Sequence, residues 1–288
     1  MDEKKVIYLD NNATTMVDPE AFEAMKPYFC ELYGNASSMH DFGNQLNRTI
    51  TEARQNLADL LGAENESELI ITSCGSESDN AAIYSALNTY PERRHFITSQ
   101  VEHPAIINTA KLLEHRGYRV TYLPVDRQGR LNLDDLKAAL TDDTFLVSLM
   151  WANNETGTVF PVEEAARICA ERGVLFHTDA VQAVGKVPMS LKNSAISMLS
   201  LSGHKLHAPK GIGALYVKRG VRFKPFITGG HQERGRRAGT ENVPSLIALG
   251  YAAKKAKEFL PLEKAQVGRL RDKLEAGILN NISNTIVN

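Results

Sequence analysis

Five short polar segments carry the side chains most able to do chemistry: Cys74-Gly75-Ser76-Glu77-Ser78, Val101-Glu102-His103-Pro104, Asn153-Asn154-Glu155-Thr156-Gly157, Asp179-Ala180-Val181-Gln182 and Ser202-Gly203-His204-Lys205. Together they supply a turn suited to phosphate, an imidazole, amides, a carboxylate and a primary amine. Gly75-Ser76 stands where a strand should hand over to a helix. Glycine permits close backbone approach there, and free amides at a helix N-terminus attract phosphate. An ordinary serine-capped turn looks the same, so this segment alone decides nothing. Lys205 is flanked by Gly203 and His204 and followed by Pro209-Lys210-Gly211. A lysine partly stripped of water gives up some preference for its charged form and becomes able to form a Schiff base. Most lysines are solvated, and an aspartate placed like Asp179 is often only a helix cap. The combination asks for more. An amine, a carboxylate and a phosphate turn, all at strand ends, match pyridoxal 5'-phosphate: an imine partner, an anion against the pyridinium nitrogen and a phosphate cradle.

The elements that must position these groups alternate short apolar runs with stretches of helical period, the pattern of an α/β domain with a mainly parallel sheet. The strand candidates are Leu69–Thr72, His95–Thr98, Phe145–Trp151, Val174–His177, Ile196–Leu201 and Gly213–Val217. In open α/β sheets ligands bind beyond the carboxyl ends of the strands, which is where all five polar segments fall. Asp18 caps a helix expected to run from Pro19 through Phe29, and Pro161 opens another whose apolar residues include Val162, Ala165, Ala166 and Ile168. Val267, Leu270, Leu274 and Ile278 recur at helical spacing. They predict an amphipathic helix from Glu263 to Ile282 lying against a core, with Pro261 as the boundary before it.

The 288 residues are 43% hydrophobic and carry 33 basic against 34 acidic side chains, so no global field recruits nucleic acid or an anionic membrane. Three cysteines form neither a disulfide framework nor a CxxC metal pattern, which suits a reducing compartment and predicts a cytoplasmic protein. Neither an export signal nor an apolar run of ~20 residues is present in the sequence. His204 and His207, three apart, lack a third ligand, so no metal is expected. Gly211-Ile212-Gly213 begins like a nucleotide fingerprint but has no third glycine and reads as a strand. Cys74 could have a lowered thiol pKa at a helix N-terminus, though a small buried residue is the plainer reading, and Cys30 and Cys169 are expected in the core.

Tyr8–Thr15 (YLDNNATT), Val101–Pro104 (VEHP), Met150–Gly157 (MWANNETG), His177–Ala183 (HTDAVQA), Ser200–Lys205 (SLSGHK) and Gly229–Asn242 (GGHQERGRRAGTEN) resemble the cysteine desulfurases, most nearly those of nitrogen-fixation type. The similarity runs from residue 6 to near residue 280. It implies a fold-type I, pyridoxal-phosphate-dependent homodimer, with a large cofactor domain at 15–262 and a partial small domain formed by 1–14 and 263–288. By resemblance, Lys205 forms the Schiff base and moves the substrate Cα proton, Asp179 keeps the pyridine nitrogen protonated, and His103 stacks on the ring and assists proton transfer. Asn154 and Gln182 bond the phenolic oxygen. Gly75, Ser76, Ser202 and His204 hold the phosphate, Thr240 reaches it from the partner subunit, and the basic loop bearing Arg234, Arg236 and Arg237, otherwise a solvated turn, lies at the dimer interface beside the phosphate.

The implied reaction converts L-cysteine to L-alanine and passes persulfide sulfur to an iron–sulfur scaffold protein, with nitrogenase as one destination. The resemblance places the nucleophilic cysteine and an arginine for the substrate carboxylate in family sequence past Asn288, and none of Cys30, Cys74 or Cys169 occupies the nucleophile's motif. Two alternatives stay open. One is another enzyme of the class, such as a selenocysteine lyase or an aminotransferase; the other is a cofactor-binding remnant without turnover.

Overall fold

The computed structural model describes residues 6–287, apart from the side chain of Lys264. The chain begins with the short helices α1 (Pro19–Met25), α2 (Pro27–Cys30) and α3 (Asp41–Asn44), followed by α4 (Asn47–Leu61). Strands and helices then alternate: β1 (Leu69–Thr72), α5 (Gly75–Thr89), β2 (His95–Ser99), α6 (Pro104–His115), β3 (Arg119–Leu123), α7 (Leu133–Ala139), β4 (Thr144–Ser148), α8 (Val162–Glu171) and β5 (Leu175–Asp179). After β6 (Met198–Ser202) and β7 (Gly213–Val217) come the helices α9 (Val243–Leu262) and α10 (Arg269–Asn281).

The strands form one seven-stranded sheet in the order β1-β7-β6-β5-β4-β2-β3. It is parallel except for β7, which runs antiparallel to both neighbours. β1, β2, β4, β6 and β7 are buried along their whole length. Helices on both faces produce that burial and explain why these strands are rich in apolar and small residues instead of alternating apolar with charged ones. One core layer contains Leu57 and Leu61 of α4, Phe176 and Leu249; the other contains Ile83, Phe96, Ile106 and Phe145. α4 and α9 cross with their backbones nearly touching, because a Cβ on Gly250 would stand 2.4 Å from Cα of Ala53. The α/β, mainly parallel architecture expected from the pattern is the one observed, and each of the six expected strands is found within a few residues.

Four local expectations differ. The first helix is two pieces. Asp18 Oδ1 caps α1 by accepting from the amides of Glu20 and Ala21 at 2.8 and 3.1 Å, but Pro27 has no N–H to continue the ladder, and α2 restarts on it. Pro161 is the cap of α8 rather than its first helical residue. Pro261 does not separate elements: α9 runs through it, and a π-helical turn at Glu263–Gly268 takes up the mismatch before α10. α10 does not lie against a core, since Leu270 and Leu274 are 59% and 62% exposed. Its apolar stripe has the right period, but nothing packs over it among the described residues. Among those residues no helix is long and apolar enough to cross a membrane.

Candidate functional site

A cavity of about 310 Å³ opens at the carboxyl ends of the parallel strands, within the small-molecule range in size. Gly75, Ser76, His103, Asn154, Asp179, Gln182, Ser202, His204 and Lys205 all border it. Each arrives from the last residue of a strand or from the segment that follows one. After β1, Cys74 is the cap of α5, and the first helical hydrogen bond is Ser78 N–H to the Cys74 carbonyl at 3.2 Å. The amides of Gly75, Ser76 and Glu77 precede it and point out of the helix end. A Cβ on Gly75 would stand 2.9 Å from Val181 Cγ2, so a larger residue there would have to displace the Val181 side chain.

After β2, His103 caps α6, its Nδ1 accepting from Ala105 N–H at 3.1 Å, with Pro104 in the first helical position. Glu102 beside it is buried. One of its oxygens accepts from the Ser99 hydroxyl at 2.6 Å and from Met150 N–H at 2.9 Å, and burial pushes its pKa up to about 8. In the loop after β4, Asn153 accepts from the amides of Glu155 and Thr156 at 2.9 and 3.0 Å and donates to the Val101 carbonyl at 3.2 Å. The first asparagine of the pair thus builds the turn and the second, Asn154, faces the cavity. Gln182 accepts from Lys186 Nζ at 3.0 Å and donates to the Asn12 carbonyl at 2.9 Å. A lysine ammonium can only donate, so it fixes which end of the amide faces it.

Asp179 ends β5, buried, and accepts from Val181 N–H at 3.0 Å. Burial raises its pKa against the opposing pull of that bond and of His103 and Lys205. Lys205 follows β6. Its Nζ donates to the carbonyls of Ala13, at 2.8 Å, and Asn12. Burial lowers its pKa, opposed by Asp10 and Asp179. His204 is shifted the same way by burial and by Lys205 and Lys210. The stretch from Asn12 to Asp18 is stitched over this end of the site, with Thr15 N–H and hydroxyl both donating to the His204 carbonyl at 3.0 and 2.8 Å.

Sequence reasoning missed several of these groups. Asn12 and Ala13 sit in a quoted motif, but only tertiary structure brings their carbonyls to Lys205. Asp79 is 1% exposed, borders the cavity, and has one oxygen without a hydrogen-bond partner among the described residues. Burial, then the nearby Asp179, hold its carboxyl well above the usual range. His177 lies 3.7 Å away, kept neutral by burial at a pKa of about 3, its two nitrogens bonded to the hydroxyls of Ser148 and Ser200 at 2.8 Å each. A carboxylate among the small residues of α5 was the available signal. Asp79, His103 and Asp179 each bring an atom within 4.8 Å of the others, a count that suits a metal. Because His103 Nδ1 already accepts a hydrogen bond, Nε2 carries the ring hydrogen and has no lone pair to give. The trio is better matched to a group that bears a proton.

Other sequence-derived positions fall elsewhere. Thr240 is exposed and borders a separate hollow with Ser73, Gly211 and Arg237. Arg234, Arg236 and Arg237 all bind within the chain: Arg234 to Glu66 at 3.1 Å, Arg236 to the carbonyls of Ser67 and Leu69 at 2.8 and 3.0 Å, and Arg237 to Glu77 at 2.8 Å. Cys30 is exposed at the end of α2, not in the core, because that short helix buries none of its residues. Cys169 is buried as expected, its thiol pushed up to about 12, and Cys74 is half-buried at the rim of the cavity.

The donor set has the chemistry of an organic phosphate with an aldehyde at one end and a basic ring nitrogen at another. A partly desolvated amine, a buried carboxylate and a helix end with free amides share one cavity, and Asp79 leaves a buried oxygen unpartnered there. The fold and the site together define an enzyme of the aminotransferase kind, and the chain belongs to the class-V aminotransferase family, which it matches over residues 7–286. Its relatives narrow this further. It is 59% identical over 281 residues to the cysteine desulfurase NifS of Azotobacter vinelandii, covering 98% of this chain and 70% of that protein. It is 63% identical over 283 residues to cysteine desulfurase 2 of Trichormus variabilis, covering 98% and 71%. Among solved structures, a NifS-like protein superposes with a TM-score of 0.92 at 42% identity, covering 95% of this chain and 76% of that one. SspA in complex with cysteine superposes at 0.84 and 39% identity, covering 86% and 72%.

Proposed function

We propose that the cavity seats pyridoxal 5'-phosphate and that the chain supports the cysteine desulfurase reaction of its relatives: a cysteine thiolate, which the resemblance places outside these 288 residues, attacks the substrate sulfur, so that L-cysteine leaves as L-alanine and the sulfur stays on that thiolate as a persulfide for iron–sulfur assembly. The observation that carries this reading is the convergence of Lys205, Asp179 and the α5 amides on one cavity. When bound, the cofactor supplies an electron sink that stabilises the carbanion left by Cα deprotonation. Gly75, Ser76, Ser202 and His204 would hold its phosphate, Asp179 its ring nitrogen, and Asn154 and Gln182 its phenolic oxygen.

The remaining chemistry belongs to the protein. The lowered pKa of Lys205 enlarges the fraction of neutral amine, the form able to attack a carbonyl and later to take a proton from Cα. The carbonyls of Asn12 and Ala13 hold that amine in place. His103, fixed by its own cap bond, presents Nε2 toward the cavity as a second proton carrier. Asp179 lies at the sheet end with Asp79 and neutral His177 beneath it. Burial and the neighbouring Asp179 hold the Asp79 carboxyl well above the usual range, while the Val181 amide, His103 and Lys205 oppose the rise at Asp179, which favours Asp179 as the anion of the pair.

Cys169 is buried, Cys30 is exposed at the end of α2 and does not border the cavity, and Cys74 borders the phosphate end. No sulfur-accepting role is given to any of them. We further read the chain as half of a homodimer in which Thr240 serves the partner's phosphate, as a cytoplasmic protein, and as a large domain at 15–262 with residues 1–14 and 263–288 belonging to a smaller one.

The test is reduction with borohydride after addition of pyridoxal 5'-phosphate. A phosphopyridoxyl group should appear on the peptide containing Lys205, and Lys205→Ala should take none. Wild type should also exchange the Cα hydrogen of L-cysteine in heavy water, a reaction that needs no thiol acceptor. Absence of label on Lys205 would overturn the assignment.

A further inference from the structure

Glu77 is a misfit at a seat for phosphate. It is the third residue of α5, immediately after Ser76, and its side chain is only 8% exposed. A carboxylate in the first turn of a helix is ordinarily favourable. Here it competes with a phosphate for the same field, in a setting where neighbouring charges are poorly screened. The carboxylate is nevertheless kept ionised. Burial raises its pKa, but the hydrogen bonds from Arg237 and Ser73 outweigh burial and leave it below the usual range. Arg237 grips it at both ends, Nε to one oxygen at 2.8 Å and Nη2 to the other at 3.1 Å. The second oxygen also accepts Ser73 N–H at 2.7 Å, tying down the turn that precedes Gly75.

The loop that delivers Arg237 is strained to do so. Glu233, Arg234 and Gly235 are successive residues with φ of 49°, 60° and 76°. Non-glycine residues there carry a conformational penalty that persists only where surrounding contacts over-determine it. Those contacts are present: Glu233 pairs with Arg54, and Arg236 donates to the Ser67 and Leu69 carbonyls.

We propose that Arg237 is a positioning residue for the cofactor phosphate: by neutralising Glu77 and bracing Ser73 through it, Arg237 lets the Gly75–Ser76 turn accept a dianion. This rests on the phosphate seat assigned above, and the test separates the two. Apparent Kd values are measured for pyridoxal 5'-phosphate and for pyridoxal, which carries the same aldehyde without the phosphate, on wild type, Arg237→Ala, Glu77→Gln and the double variant. Arg237→Ala should weaken the phosphate ester on the order of tenfold and leave pyridoxal unchanged, one uncompensated charge at a partly buried site. The double variant should restore affinity to within about threefold, since glutamine keeps an acceptor for Ser73 but no charge.

Equal weakening of both ligands by Arg237→Ala, or no rescue by Glu77→Gln, would overturn the inference. If Arg237→Ala does not fold, Glu77→Gln alone decides. It should bind the phosphate ester as tightly as wild type or more so, and a selective loss for that ester would overturn the role. A wild type that binds both ligands equally would instead sink the phosphate seat itself.

Discussion

Glu102→Gln isolates a single buried proton. In the native protein Glu102 is 7% exposed and its pKa is about 8 against an ordinary 4.5. The folded state therefore holds a proton that the unfolded chain has released, across the window between those values. The stability that this proton contributes is fully present below pH 4.5 and is lost as pH rises toward and through 8. Between pH 6 and pH 8 the native group goes from almost fully protonated to half protonated, while the unfolded group is ionised throughout. Integrating over that interval gives a loss of about 2 kcal/mol from this residue alone. Glutamine has nearly the same shape and can still accept from Ser99 and Met150, but it does not titrate. Urea unfolding of wild type and Glu102→Gln at pH 6 and at pH 8 is the assay. The variant's advantage over wild type should grow by about 2 kcal/mol between the two pH values. Comparing the two chains cancels contributions from groups that do not sense Glu102; Asp79 is shifted in the same direction partly by the Glu102 charge, so the same pair is compared in an Asp79→Asn background. Parallel stabilities at both pH values would show that Glu102 is ionised in the native state and refute the argument.

Gly250→Ala forces a Cβ to within 2.4 Å of the α4 backbone at Ala53 and should destabilise by roughly 1–3 kcal/mol, read as a lower urea midpoint. Gly277→Ala, with nothing within 4 Å of its added Cβ on exposed α10, should leave stability unchanged or raise it by roughly 0.5–1 kcal/mol. Titration of the native protein with a thiol-specific disulfide reagent should modify Cys30 quickly and Cys169 only after unfolding. Rapid native reaction at Cys169 would contradict the core described for α8.

The legible parts of the fold are those where burial is complete. β1, β2, β4, β6 and β7 are covered on both faces, so their sequences contain little but apolar and small residues. β3 escaped notice because it is an edge strand with one fully buried residue, Leu123, and its Arg119, Thr121 and Tyr122 read as ordinary surface. Site residues immediately after strands were legible for a geometric reason, since parallel strands deliver their ends to one side. Asp79 was hidden by lying a full turn inside α5, and the roles of Asn12 and Ala13 belong to backbone carbonyls, which side-chain identity does not report. Arg237 is the converse case. Its charge was visible, but only the folded chain shows that the charge is directed to Glu77 rather than to water. Pro261 misled because proline is a strong local signal and the π-helical turn that accommodates it is not.

The carbonyls of Asn12 and Ala13 reach Lys205 across 193 and 192 residues of chain. Among the described contacts this is one of the longest closures, and closures of that length are entropically late events in folding. During synthesis the first of these partners leaves the ribosome long before the second exists. The amine's seat is therefore assembled from segments made at widely separated times in translation. Under the function proposed above, capture of an aldehyde by Lys205 would mark finished topology, since a partly folded chain, however helical, would lack the pocket that tells this lysine apart from the others.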